Sequence, residues 1–428
     1  MNKIESFEQA YKFLVEAVPK TSSAVFKGED GFTRSKRWMQ ELGNPQEVSP
    51  AIHIAGTSGK GTVAHLISAI LETHGKRTAL ITSPHAYDIR ERILISGKKL
   101  SKDSFVKLIN QIMSIYLKMK EKGVPPSYFE ILMALGFLAV ANQKVDYCVV
   151  ETGMGGKLDT SNTITRRDKL CVITPIGYDH THILGNTLTE IASQKIGIVH
   201  SNQQVFSAQQ SPEAMEAIQK GCSQEGASLT VVDPESVLGK YNLPIGLSEL
   251  NQQLPGAHNR SNLALALESV EYIAKRDGWK VNTHLVKKAI REFKIPGRFE
   301  IMQGVGNKEF IFDGAHNEQK ISALVDALRE RYGEKPLGFV FASSKEAPEK
   351  HLDIFKKRAG VVILTRYHSK ELDIPRPQPD LEVLANGKKI LYIPEAKDVV
   401  NYIKSSDLPV WVITGSFYIL GEIKNLLN

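Results

Sequence analysis

Seven consecutive residues, Gly56-Thr57-Ser58-Gly59-Lys60-Gly61-Thr62, have the makings of a phosphate cradle. Glycine lets backbone N–H groups face an anion with no Cβ in the way. A helix starting here adds a partial positive charge. In that reading Lys60 reaches the outer phosphates and Thr62 sits near a magnesium ion. The spacing is not that of the common nucleotide loop. Two residues, not four, separate Gly56 from Gly59, and Gly61 stands between Lys60 and Thr62. An ordinary glycine turn before a helix is the plain alternative.

Other candidates follow apolar runs. Glu151 opens Glu151-Thr152-Gly153-Met154-Gly155-Gly156, with Asp159 and Asn162 in the loop beyond. A carboxylate at a strand end, in the sheet that carries a phosphate loop, can hold magnesium. Ser83 in Ser83-Pro84-His85 offers a hydroxyl to the same ion, or simply leaves a strand by a proline turn. In Asp179-His180-Thr181-His182, His180 is a metal ligand, an orienting group or a surface histidine. Lys195 has apolar neighbours on a helical stretch. It is a structural ion-pair partner, a catalytic cation or a modified residue. Asp313-Gly314-Ala315-His316-Asn317 and Thr414-Gly415-Ser416-Phe417-Tyr418 are further polar clusters after apolar runs, and either reads equally as a turn.

Groups so scattered need a scaffold that gathers them. Apolar runs at 52–55, 78–82, 147–150, 170–175 and 204–207 read as strands. Stretches at 102–120, 128–142 and 188–197 read as helices, as does the pattern Val63, Leu66, Ile67, Ile70, Leu71 ending at Gly75. The alternation predicts an α/β fold with a doubly wound, mainly parallel sheet. A phosphate loop after the first strand is where such a sheet binds nucleotides. Ile295-Pro296-Gly297-Arg298 then interrupts a helical run at 283–294. A second strand series follows at 310–312, 337–341, 361–365, 390–393 and 410–414. This places a domain boundary at 296, with 1–295 carrying the glycine loop and 296–428 lacking one. The run 375–379 is a short proline-rich loop.

The 428 residues are 42% hydrophobic and 24% charged, a globular balance with room for a core in each domain. Cys148, Cys171 and Cys222 form neither a metal pattern nor a disulfide framework, which favours a reducing compartment. The N-terminus lacks a signal peptide's apolar core, and no run approaches membrane-spanning length. The net charge of +7 is spread without a basic stripe, so it suits a polyanionic small ligand or a solvated surface better than nucleic acid.

Taken together and in this order, the motifs resemble the Mur ligase superfamily, and within it the folylpolyglutamate synthase/dihydrofolate synthase family. Besides the loop and the Glu151 turn, the likeness rests on Leu42-Gly43-Asn44-Pro45, Thr82-Ser83-Pro84-His85 with Glu91-Arg92-Ile93, Phe129-Glu130, and Asp179-His180 with Leu184-Gly185. It continues through Ile191-Ala192, Lys195, Gly197-Ile198, His258-Asn259 with Asn262, Pro296-Gly297-Arg298-Phe299-Glu300, and the clusters at Asp313 and Ser416.

The resemblance implies a P-loop-containing ATPase domain followed by a smaller Rossmann-like α/β domain. It implies an ATP-dependent ligase that adds L-glutamate to the γ-carboxylate of a reduced folate through an acyl phosphate. Gly56, Thr57, Gly59, Lys60, Gly61 and Thr62 correspond to triphosphate-binding positions, and Asn262, Arg298 and Asp313 to further ATP contacts. Ser83, Glu151 and His180 match magnesium ligands, with two ions expected. Lys195 matches a lysine carbamylated in the family. His316 and Ser416 match positions lining the cleft, so Lys60, Lys195 and His316 are the catalytic candidates. The expected partners are ATP, L-glutamate and tetrahydrofolate or its one-carbon forms, in a cytoplasmic monomer without nucleic acid or membrane. Dihydropteroate as a second substrate is left open.

The chain departs from the family pattern at four places: Ser58, Tyr128, Glu318-Gln319 and Ser344-Lys345-Glu346. A muramyl-peptide-type ligase is the competing enzyme reading, against which stands the short stretch ahead of the loop. A regulator that has lost catalysis is the other alternative. The joint presence of Lys60, Glu151, His180 and Lys195 opposes it.

Overall fold

The computed structural model describes residues 3–17, 28–244, 247–249, 251–252, 254–342, 355, 359–366 and 389–427. Ser344-Lys345-Glu346 and the 375–379 run lie outside the described residues. The chain divides into two compact units. The first comprises Met1–Ser83, Arg90–Leu243 and Arg260–Ile290; the second comprises Pro84–Ile89, Pro244–Asn259 and Arg291–Asn428. Two short segments ahead of residue 296 thus join the second unit. Burial explains the first of them, since Ala86 lies in a core with Phe417 and Leu420. Segments this short have no periodicity to betray them.

The first unit holds strands β1 (Ala51–Ala55), β2 (Thr78–Ile81), β3 (Ile93–Ile95), β4 (Lys98–Lys99), β5 (Tyr147–Glu151), β6 (Leu170–Ile173), β7 (Gln204–Ser207) and β8 (Ser228–Val231). They lie in the order β4-β3-β2-β5-β1-β6-β7-β8. All neighbours pair in parallel except β3 with β2 and β4 with β3. The doubly wound, mainly parallel sheet is as expected. The strands β3, β4 and β8 were not anticipated, because they are short and lack a continuous buried run; Lys98 and Lys99 are both exposed.

Strands β1 and β5 are buried along their whole length. Helix Lys60–Thr73 packs on them through Val63, Leu66, Ile67, Ile70 and Leu71. Each such side chain contributes about 1.5–3 kcal/mol by leaving water. This packing fixes the helix N-terminus at the carboxyl end of β1. There the strand order reverses, the crevice at which open α/β sheets bind ligands.

The second unit holds β9 (Glu300–Gln303), β10 (Glu309–Phe312), β11 (Leu337–Phe341), β12 (Ala359–Leu364), β13 (Lys389–Tyr392) and β14 (Val410–Thr414), in the order β13-β12-β11-β14-β10-β9. Among the described residues, only β9 is antiparallel within this sheet. Both faces are covered: Trp411, Ile413 and Val340 lie in one core cluster, Phe339, Val412 and Leu328 in another. Among the described residues, no helix is long and apolar enough to cross a membrane.

Candidate functional site

Sheet register brings the first-unit candidates together. Ile54 of β1 pairs with Glu151 of β5, and Ala55 pairs with Ile173 of β6. The glycine loop therefore leaves β1 flanked by Glu151 on one side and by the segment after β6 on the other. Gly56 and Gly59 both have positive φ, at 146° and 86°. A Cβ on Gly56 would fall 1.9 Å from Thr174 Oγ1, and one on Gly59 would fall 2.3 Å from Asn262 Oδ1. Gly59 caps helix Lys60–Thr73 without a side-chain hydrogen bond, which leaves that terminus to glycine backbone.

Two lysines reach one carbonyl. Lys60 Nζ donates to Gly56 O at 3.1 Å, and Lys195 Nζ donates to the same oxygen at 2.8 Å. Lys195 is buried near the end of helix Leu188–Ile196. Glu151 is buried too, and Ser83 N–H donates to its Oε2 at 3.0 Å. A Cβ on Gly61 would lie 3.4 Å from that same oxygen, an ordinary contact distance, so the loop runs directly beside the carboxylate.

Thr57 ties the loop to its neighbour. Its N–H donates to Pro175 O at 3.0 Å, and its hydroxyl donates to Gly177 O at 3.0 Å. Ser58 N–H also donates to Pro175 O, at 3.2 Å. These bonds tie the loop to the segment after β6. The same segment leads to His180, which takes a positive φ of 51° ahead of the short helix Thr181–Leu184. Asp179 Oδ1 accepts the His180 N–H at 3.0 Å and lies 3.8 Å from Nε2.

Asp159 and Asn162 serve the backbone. Asp159 accepts from Met154 N–H at 2.9 Å, Ser161 N–H at 2.9 Å and Ser161 Oγ at 2.6 Å. Burial pushes its carboxyl up, and these donors oppose the shift. Asn162 Nδ2 donates to Lys157 O and Gly197 O at 3.0 and 2.9 Å. Together they pin the Glu151 turn against the end of the Lys195 helix. Phe129 supports the turn from below: a Cβ on Gly153 would fall 2.3 Å from its ring. Glu130 caps its own helix through Ser127 and receives the Arg34 guanidinium at 2.8 Å. The Ser127…Glu130 spacing is a capping-box signal visible in the sequence, whereas Arg34 gives no local sign of its partner.

The second-unit candidates gather at the carboxyl ends of β10 and β14. Phe312 pairs with Ile413, which sets Asp313 beside Thr414. Asp313 accepts from Phe299 N–H at 2.8 Å and Ala315 N–H at 2.9 Å. Burial raises its pKa, and Arg298 acts against that rise. The Arg298 guanidinium lies 4.7 Å from the centre of the Phe417 ring, a cation–π distance. His316 Nδ1 donates to Gly314 O at 2.8 Å, which leaves Nε2 to accept from the Lys320 ammonium at 3.2 Å. Lys320, one helical turn on, carried no signal in the sequence. Ser416 is buried, and its Oγ accepts from Tyr418 N–H at 3.3 Å.

Among the described residues no group of three or more His, Cys, Asp or Glu side chains forms a metal cluster. The Ser83–Glu151 pair is of another kind: one buried carboxylate and one hydroxyl. Magnesium is typically held by one or two carboxylates together with water and substrate phosphates. A buried carboxylate beside a hydroxyl suits that ion, whereas an imidazole such as that of His180 is a softer ligand.

The Mur ligase middle domain family matches residues 54–270, and the Mur ligase glutamate ligase domain family matches residues 297–417. A dihydrofolate synthase/folylpolyglutamate synthase from Bacillus subtilis is 30% identical over 422 residues, covering 94% of this chain and 96% of the relative. A dihydrofolate synthetase from Saccharomyces cerevisiae is 28% identical, covering 94% of this chain and 98% of the relative. Among solved structures, a Mycobacterium tuberculosis folylpolyglutamate synthase complexed with ADP superposes with a TM-score of 0.81 at 26% identity, covering 100% of this chain and 99% of that one.

Proposed function

This chain belongs to the Mur ligase family, in its folylpolyglutamate synthase/dihydrofolate synthase branch, and from that premise we propose how its own residues join a folate carboxylate to L-glutamate. The activity is that of an ATP-dependent, amide-forming ligase. A carboxylate is a poor electrophile, so one of its oxygens first attacks the γ-phosphorus of ATP. The bond to the β-phosphate oxygen breaks, ADP leaves and an acyl phosphate remains. The amine of glutamate then attacks the acyl carbon, loses a proton and expels phosphate from the tetrahedral adduct.

Phosphoryl transfer asks the protein chiefly for position and neutral charge. The observation that carries the reading is the convergence of Lys60, Lys195 and Glu151 on the glycine loop. Lys60 exchanges the Gly56 carbonyl for the outer phosphates as charge builds there. Asn262 lines the loop beside Gly59, and Arg298 and Asp313 supply the second unit's ATP contacts. His316, whose Nε2 is an acceptor in the neutral ring, receives the proton of the glutamate amine. Ser83, Glu151 and His180 would hold magnesium, which would neutralise phosphate charge when bound. Lys195 takes up carbon dioxide: its neutral amine forms the N–C bond, a proton is released, and an anionic carbamate results.

The reading also places the enzyme in the cytosol as a monomer. Its three cysteines are buried free thiols, and light scattering is expected to return the chain mass of 47.5 kDa.

The test compares tetrahydrofolate, its methylene form and dihydropteroate as acceptors, following phosphate release and glutamylated product by mass spectrometry. Glutamate-dependent phosphate release is expected with the reduced folates. Absence of release with every folate would sink the proposal. The dihydropteroate arm decides between one activity and two.

A further inference from the structure

Glu300, the first residue of β9, collects three donors. Its Oε2 accepts from Gly297 N–H at 2.9 Å and from the Tyr87 hydroxyl at 2.5 Å, while its Oε1 accepts from Lys424 Nζ at 2.5 Å. Lys424 also sits 4.1 Å from the centre of the Tyr87 ring. Packing reinforces the junction. Gly297 has a φ of 67°, and a Cβ there would meet Leu420 at 2.9 Å and Ala86 at 3.1 Å.

Two of the three partners, Gly297 and Tyr87, lead to proposed site residues. Gly297 immediately precedes Arg298. Tyr87 lies four residues after Ser83, the residue whose N–H holds Glu151. The chain leaves the first unit after Ser83, and Pro84–Ile89 belongs to the second. One carboxylate oxygen thus restrains both the path out of Ser83 and the loop bearing Arg298.

We propose that Glu300 is a positioning residue for the ligase reaction, holding the Arg298 loop through Gly297 and the segment that follows Ser83 through Tyr87. It touches neither nucleotide nor metal itself. The inference rests on the assignment of Ser83 and Arg298 made above. The carboxylate charge matters because Lys424 and the phenol both donate to it, and charge-assisted bonds hold geometry more firmly than neutral ones.

Tyr87→Phe keeps the ring and its packing but removes the hydroxyl; Glu300→Gln keeps the shape but removes the charge. The full-length enzyme and these variants are compared for kcat, KM for ATP, the magnesium concentration giving half-maximal rate, and thermal midpoint. Tyr87→Phe is expected to lower kcat about tenfold and raise the magnesium requirement, as loss of an orienting partner does. Glu300→Gln is expected to do both and also raise the KM for ATP. The double variant should be no worse than Glu300→Gln, because both changes break one bond. Should Glu300→Gln not fold, Tyr87→Phe alone decides. A lowered thermal midpoint with unchanged kcat and magnesium requirement would overturn the proposal, as would additive effects in the double variant. Failure of the ligase assignment itself would instead appear as an inactive parent enzyme.

Discussion

Lys60 and Lys195 donate to the same oxygen, the carbonyl of Gly56. Their ammonium nitrogens are therefore within about 6 Å of each other, a distance at which like charges repel noticeably in a partly buried site. In the function proposed above, a triphosphate would relieve that repulsion from the side of Lys60, and carbamylation would relieve it from the side of Lys195 by turning a cation into an anion.

Removal of dissolved carbon dioxide should therefore lower the activity of the parent enzyme, and bicarbonate should restore it. Lys195→Ala should lose about two orders of magnitude in kcat and show no response to bicarbonate. Steady-state assays under controlled bicarbonate settle the point. Full activity in Lys195→Ala would remove this side chain from the mechanism, and a parent enzyme indifferent to carbon dioxide would remove the carbamate.

Gly59→Ala brings two faults together. The added Cβ meets Asn262 Oδ1 at 2.3 Å, and the backbone keeps a positive φ that alanine disfavours. The strain amounts to about 1–3 kcal/mol. A lower thermal midpoint and loss of nucleotide binding by calorimetry are expected. Pairing Gly59→Ala with Asn262→Ala should recover part of the stability and none of the binding, since the contact is removed while the φ remains.

Asp313→Asn replaces one acceptor oxygen by a donor facing either Phe299 N–H or Ala315 N–H. A buried amide left unpaired costs about 1–3 kcal/mol. The variant should melt earlier in denaturant and show a raised KM for ATP, because Phe299 N–H helps hold the Arg298 loop. An unchanged KM would mean that Asp313 acts on stability alone.

Acid should weaken the first unit through two histidines. Burial, with Lys169 nearby, drops His200 to about 4 and holds His53 well below its ordinary value of 6.5. Between about 6.5 and about 4 the unfolded chain binds protons that the folded chain refuses. Stability is thus complete above 6.5 and falls as pH drops through that window. His200→Gln should flatten the acid limb of a denaturant-midpoint profile. An identical slope in the variant would assign the acid loss elsewhere.

Much of this arrangement was legible in the sequence because strand-end residues inherit their place from the sheet. Once Ala51–Ala55 and Tyr147–Glu151 are neighbouring parallel strands, Glu151 must stand beside the loop that leaves the first of them. Asp313 and Thr414 follow by the same logic from β10 and β14. The bonds of Thr57 to Pro175 O and Gly177 O were not legible, because they depend on how the segment after β6 folds back. Tyr87, Lys320 and Arg34 escaped notice for a related reason. Their partners are set by tertiary packing, and nothing in their local spacing marks them. The antiparallel β9 was missed because the sequence 300–303 has no continuous apolar run and only partial burial.

The two rims of the large sheet have unequal exposure to other chains. The rim at β4 ends in Lys98 and Lys99, both exposed. An incoming strand must bring its own backbone past two ammonium groups, a common defence against strand addition. The rim at β8 is Ser228-Leu229-Thr230-Val231, without a charge and with Val231 43% exposed. Aggregation under heating or concentration should therefore begin at β8, and a lysine at Val231 should delay it without touching the catalytic face.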